Sequence, residues 1–115
     1  DFVSSRNSWG GFSYTYVSEN SFNVSLPTEG KVVNVRTQEY IKAGYTKVRV
    51  TAGEYEGGLL WVGNDDWGTP YCMNGLGSGK SIELDLSIFT EANPWLIIFS
   101  SGEAITVTIT YEFIK

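Results

Sequence analysis

Residues 105 to 113 alternate without a break: Ile105, Val107, Ile109, Tyr111 and Phe113 fall on one side, and Thr106, Thr108, Thr110 and Glu112 on the other. A period of two sends successive side chains to opposite faces of an extended chain, and β-branched and aromatic residues suit that half-buried surface. A helix would scatter these apolar residues around its whole circumference, so the segment is a strand with one face in a core. The same alternation sets Ile82, Leu84, Leu86 and Ile88 against Ser81, Glu83, Asp85 and Ser87. It also sets Val48, Val50 and Ala52 against Lys47, Arg49 and Thr51. Shorter extended runs are expected from Phe12 to Val17, Ser21 to Leu26, Lys31 to Thr37, Leu59 to Gly63 and Trp95 to Ser100. Turn chemistry separates them at Ser18-Glu19-Asn20, Pro27 to Gly30, Gly57-Gly58 and Ser101-Gly102. About eight strands with turns at this spacing specify an all-β fold, a two-sheet antiparallel β-sandwich.

At 115 residues the chain reads as one domain spanning 1–115. It starts abruptly at Asp1, which reads as a mature protein or a module cut from a larger multidomain one. Eight Lys and Arg against a net charge of −5 cannot form a basic stripe, so neither nucleic acid nor an anionic membrane is an expected partner. No apolar stretch is long enough to cross a membrane as a helix. Abundant Ser, Thr, Asn and Gly over few charges suit a secreted, extracellular β protein acting as a monomer. Cys72 stands alone, so there is no internal disulfide and no cysteine metal cluster.

Between Gly63 and Lys80 the alternation stops, and the glycine-rich sequence reads as a long ordered loop carrying Trp67, Tyr71, Cys72 and Met73. Catalysis has few routes here. The chain contains no histidine, which removes triads and imidazole metal sites. Gly75-Leu76-Gly77-Ser78-Gly79-Lys80 leads into a strand rather than a helix, so it is a turn and not a phosphate loop. Glu83 and Asp85 share a strand face at a spacing near the ~5 Å or ~6.5–9.5 Å that glycoside hydrolysis requires. Alternate acids on a solvated face are commonplace, and the expectation is a protein that is not an enzyme.

The positive signal is aromatic: four Trp, seven Tyr and six Phe, more than so small a core absorbs. The segment from Leu60 to Tyr71 places Trp61, Trp67 and Tyr71 beside Asn64, Asp65 and Asp66. Sugar recognition asks for that mixture. The apolar C–H face of a pyranose stacks on an aromatic ring, and its hydroxyls need short directional partners. Trp61 alternates with Leu60 and Val62 and is equally suited to the core. Trp67, in a Gly/Asp-rich stretch, is the first choice for ligand contact, whereas Tyr71 fits either role. Trp95 shares a face with Ile97 and Phe99, opposite Leu96 and Ile98, and either face could be the buried one. Gln38 and Arg49 complete the polar candidates, although each polar residue could equally be a surface or turn residue.

Gly79 to Ser87, Trp95 to Gly102 and Ile105 to Ile114, together with Tyr45-Thr46-Lys47-Val48-Arg49-Val50, give a strand order that resembles β-sandwich carbohydrate-binding modules of bacterial plant-cell-wall-degrading enzymes. The resemblance implies a jelly-roll-like sandwich appended to a catalytic domain in the same chain. It further implies non-catalytic binding of β-glucan chains such as xyloglucan, mixed-linkage glucan or cellulosic oligosaccharides. Trp61, Trp67 and Tyr71, then Trp95, match the stacking positions best. Such modules often carry a structural calcium near the chain ends; no matching acidic cluster stands in this sequence, so a structural calcium stays open without support from the residues, and no other cofactor is expected. The competing reading is an immunoglobulin-like spacer without a ligand, with Trp67 and Tyr71 packed under the long loop.

Overall fold

The computed structural model describes residues 8–9, 13–18, 20–27, 30–66 and 69–115, with the side chains of 8–9, 13–16, 18, 31–35, 65–66 and 69–72 outside the description. One sheet is built from β1 (Ser8–Trp9), β4 (Lys31–Arg36), β9 (Trp95–Ser101), β6 (Leu59–Asp66) and β7 (Thr69–Gly75), in that spatial order. The other holds β2 (Ser13–Ser18), β3 (Ser21–Leu26), β10 (Ile105–Ile114), β5 (Lys47–Ala52) and β8 (Ser81–Asp85). Every described pairing is antiparallel. The chain changes sheet between β1 and β2, β3 and β4, β4 and β5, β5 and β6, β7 and β8, β8 and β9, and β9 and β10. This returns the last strand to a place between β3 and β5. That path is the jelly-roll wrap of an all-β sandwich.

Alternation builds the core as the sequence requires. Phe22, Val24 and Leu26 of β3, Val48 and Val50 of β5, and Ile105, Val107, Ile109 and Tyr111 of β10 face Leu60 and Val62 of β6 and Leu96 and Ile98 of β9. The outer face of the β3–β10–β5–β8 sheet is hydroxyl-rich, and its rungs satisfy one another: Ser21 with Thr110 at 3.0 Å, Ser25 with Thr106 at 3.1 Å, and Thr51 with Ser81 at 2.7 Å.

Two local expectations change. The stretch from Gly63 to Gly75 is mostly strand, because β6 runs on to Asp66 and pairs with β7. Backbone bonds rather than side-chain alternation make an edge strand, and a register shift between Val62 and Asn64 breaks the parity that sequence patterning relies on. Pro70 is tolerated because β7 is an edge. The expected strand through Ile88 stops at Asp85 and gives way to a 3-10 turn, Leu86–Ile88. The Asp85 carboxylate accepts the Ser87 N–H at 2.9 Å there, so Leu86 is buried by a turn instead of a pleat.

A short helix, α1 (Gln38–Lys42), follows β4. It ends in a Schellman pattern: Gly44 N–H donates to Ile41 O at 3.1 Å and Tyr45 N–H to Tyr40 O at 3.0 Å. Gly44 takes φ +96°, which glycine alone adopts without strain. The Tyr40 and Tyr45 rings meet edge-on at 5.8 Å, and Tyr40 stacks on Phe113 at 3.7 Å, docking the helix on the end of β10. At Gly58 a Cβ would lie 2.3 Å from both Glu103 O and Ser101 O, so only glycine lets the β5–β6 loop meet the β9–β10 turn.

Candidate functional site

The alternation of β9 assigns its two faces. Leu96 and Ile98 join the cluster between the sheets, and Ser100 is buried with its hydroxyl donating to Pro27 O at 2.8 Å. Trp95, Ile97, Phe99 and Ser101 therefore stand on the outer face of the β1–β4–β9–β6–β7 sheet. On β6 the same parity turns Leu60 and Val62 inward and Leu59, Trp61 and Gly63 outward.

The ladders align these outward positions into a row across the sheet. Gly75 of β7 pairs with Trp61 of β6, Trp61 with Phe99 of β9, Phe99 with Lys31 of β4, and Lys31 with Trp9 of β1. The indole of Trp61 lies along this row. Its Nε1–H donates to Ser101 Oγ on β9 at 2.8 Å. A methyl built on Gly75 of β7 would come within 3.7 Å of Cζ3 and 3.9 Å of Cε3, on the opposite edge of the indole. The ring thus spans from one neighbouring strand to the other. Trp61 and Phe99 are half-buried, while Gly75 is exposed and Leu59, beside them, is 60% exposed.

Sequence-chosen residues spread over this scaffold unevenly. Trp95 shares the outer face, four positions along β9 from Phe99, and is half-buried. Asn64 is 2% exposed and aims at the interior. Its Nδ2 donates to Ile88 O at 2.9 Å, and among the described residues its Oδ1 has no partner. Gln38 opens α1, half-buried, and among the described residues its Nε2 also lacks a partner. It follows Thr37, whose hydroxyl donates to Pro94 O at 2.7 Å beside the start of β9. Tyr71 pairs with Asn64 and Asp65 with Pro70 in the β6–β7 ladder. The side chains of Tyr71, Asp65 and Asp66, and the whole of Trp67, lie outside the described residues.

Arg49 is not brought to this face. It sits on the outer side of the other sheet, bonding Glu83 at 2.8 Å and Glu112 at 2.6 Å. The Glu83 hydrogen bond foremost, then the Glu112 charge, hold its guanidinium above its ordinary pKa. Asp85 is held below the ordinary carboxylate range, chiefly by the Ser87 N–H. Both acids weighed for hydrolysis are thus engaged, Glu83 with Arg49 and Asp85 with Ser87, and Asp85 is shifted away from the raised pKa of a general acid. Phe99 is the residue that sequence patterning missed as a site member. It paired with Ile97 by parity, but only the β6–β9 register sets it opposite Trp61.

A concavity of about 650 Å³ is lined by Glu54, Tyr55, Glu56, Ser78, Ala104 and Thr106. Its ring is occupied, since the Tyr55 hydroxyl donates to Leu76 O at 2.5 Å. Among the described residues no three His, Cys, Asp or Glu side chains gather to hold a metal. Compared with known proteins, the chain matches no family model and no curated protein.

Proposed function

We propose that this chain is a non-catalytic carbohydrate-binding module. Its outer β4–β9–β6–β7 face stacks β-glucan chains of the xyloglucan, mixed-linkage or cellulosic kind, and it serves a glycoside hydrolase secreted with it as one chain. The observation that carries the reading is the Trp61 indole, half-buried on the outer face and held between Ser101 and Gly75, with Phe99 beside it in the ladder. A ring anchored at both edges and left partly exposed gives the C–H face of a pyranose an apolar surface to pack on without the cost of ordering a mobile side chain. The jelly-roll sandwich gives the ring a rigid mount, since both neighbouring strands are hydrogen-bonded to β6. Trp95 stands further along the same face, and the stacking roles expected of Trp67 and Tyr71 concern side chains outside the described residues. Stacking supplies affinity for the glucan backbone, and polar neighbours supply selectivity. Affinity is set in the micromolar range or weaker, because sugar hydroxyls exchange water for similar partners. Tethering to an enzyme then raises the effective concentration at the polymer.

Affinity gel electrophoresis against a panel of soluble polysaccharides tests the reading. Retardation by a glucan, lost in folded Trp61→Ala, is the expected result. Migration unchanged by every polysaccharide would leave the ligand-free spacer as the better description.

A further inference from the structure

Building on that reading, we infer that the glucan chain crosses the strands along the row Gly75–Trp61–Phe99, and that Gly75 determines specificity by leaving the platform open at the sheet edge. Two directions are available on a sheet face, along the strands or across them. A path along β6 and β9, from Trp61 and Phe99 towards Trp95, would run over Gly63 and Ile97, which are paired in the ladder. That middle ground is closed: Ile97 is 0% exposed although it faces away from the inter-sheet cluster, and Gly63 is buried as well. A ligand has nothing to touch there.

Across the strands the surface stays accessible. Phe99 and Trp61 are half-buried and Gly75 is exposed. The indole's own long direction follows the row, from Ser101 on β9 to Gly75 on β7. At the strand spacing of a sheet, Gly75 to Phe99 covers about 10 Å, and the ladder continues beyond Phe99 to β4 and β1. That length suits consecutive sugar units rather than a single terminal residue. Beyond Trp61 the row ends on the edge strand at a residue with no side chain, so a chain leaves the sheet there unobstructed. The ligand class is accordingly the interior of an extended glucan chain.

A side chain at Gly75 would rise beside the ring as a wall. The position accepts one: its φ is not among the positive values, and a Cβ meets the indole only at ordinary contact distance. The test is calorimetric titration of a soluble β-glucan and its oligosaccharides into wild type, Gly75→Ile, Phe99→Ala, Trp95→Ala and Trp61→Ala, each checked for native circular dichroism. The row predicts that Gly75→Ile and Phe99→Ala each weaken polymer binding at least about tenfold, while Trp95→Ala changes it less than about twofold. It also predicts that affinity grows with oligosaccharide length until the row is filled. If Trp61→Ala and Trp95→Ala abolish binding while Gly75→Ile and Phe99→Ala do not, the module stands and the chain runs along the strands, which overturns the inference alone. Glucan binding that is absent in wild type, or indifferent to Trp61→Ala, removes the functional reading and this inference with it.

Discussion

The Trp61 Nε1–H donates to the Ser101 hydroxyl across β6 and β9 at 2.8 Å, and this bond decides how the indole presents itself. Both groups belong to the hydrogen-bonded region where β6 meets the end of β9, where Leu59 pairs with Ser101 and Trp61 with Phe99. Without it, the ring could pivot about χ1 and χ2 and leave this position.

Ser101→Ala therefore leaves the fold intact and loosens the platform. A net hydrogen bond of about 0.5–1.5 kcal/mol sets the expected loss of glucan affinity at up to about tenfold. Titration calorimetry reads the loss, and near-UV circular dichroism reads the weaker asymmetry of the freed indole. Unchanged affinity with a changed indole signal would mean that ring attitude does not govern binding.

Asn64 illustrates the other fate of a polar residue chosen from the sequence. Its side chain is 2% exposed and donates to the Ile88 carbonyl at the end of the 3-10 turn, joining β6 to the β8–β9 connection. Asn64→Ala leaves that carbonyl without its donor and should destabilise the protein by about 1–3 kcal/mol, measured by urea unfolding. Glucan affinity of the folded variant should match wild type within error.

The fold was largely legible because its strands pack one face against a core, and Ile105 to Phe113 carry that fact as plain alternation. Legibility failed where another force took over. The helix α1 escaped because five residues give too few apolar positions to reveal a period. The β6–β7 hairpin escaped because a bulge and an edge location suspend alternation. The site was less legible than the fold. Trp61, Trp67 and Tyr71 are close in sequence, yet Tyr71 pairs three positions along β6 from Trp61. The ring set opposite Trp61 comes from Phe99, thirty-eight residues away by number, through a register that no single segment encodes.

Arg49 supplies a control from the opposite face. Its pairs with Glu83 and Glu112 are solvent-exposed, so Arg49→Gln should cost little stability, with the loss shrinking further as salt screens the charges. Glucan affinity should not move. A large affinity loss in Arg49→Gln would shift the binding face to the other sheet.

Tyr111 sets the alkaline limit. Its phenol is fully buried between the sheets, and burial pushes its pKa well above the ordinary tyrosine value. In the unfolded chain the same phenol ionises near pH ~10, so stability falls as pH rises above that point while the native state keeps its proton. Tyrosinate absorbance from Tyr111 should appear only together with loss of β-sheet circular dichroism. Tyr111→Phe should remove this part of the pH dependence. Tyr111 ionising in a chain that retains its sheet signal would contradict its buried placement.

Calorimetric titration of a cellulosic oligosaccharide into wild type and Trp61→Ala, at matched thermal stability, tests whether Trp61 carries glucan binding. Saturable, enthalpy-driven binding by wild type and a loss of at least about tenfold in the variant are expected. Equal affinity in the two proteins, or no heat of binding in either, would overturn the role given to Trp61.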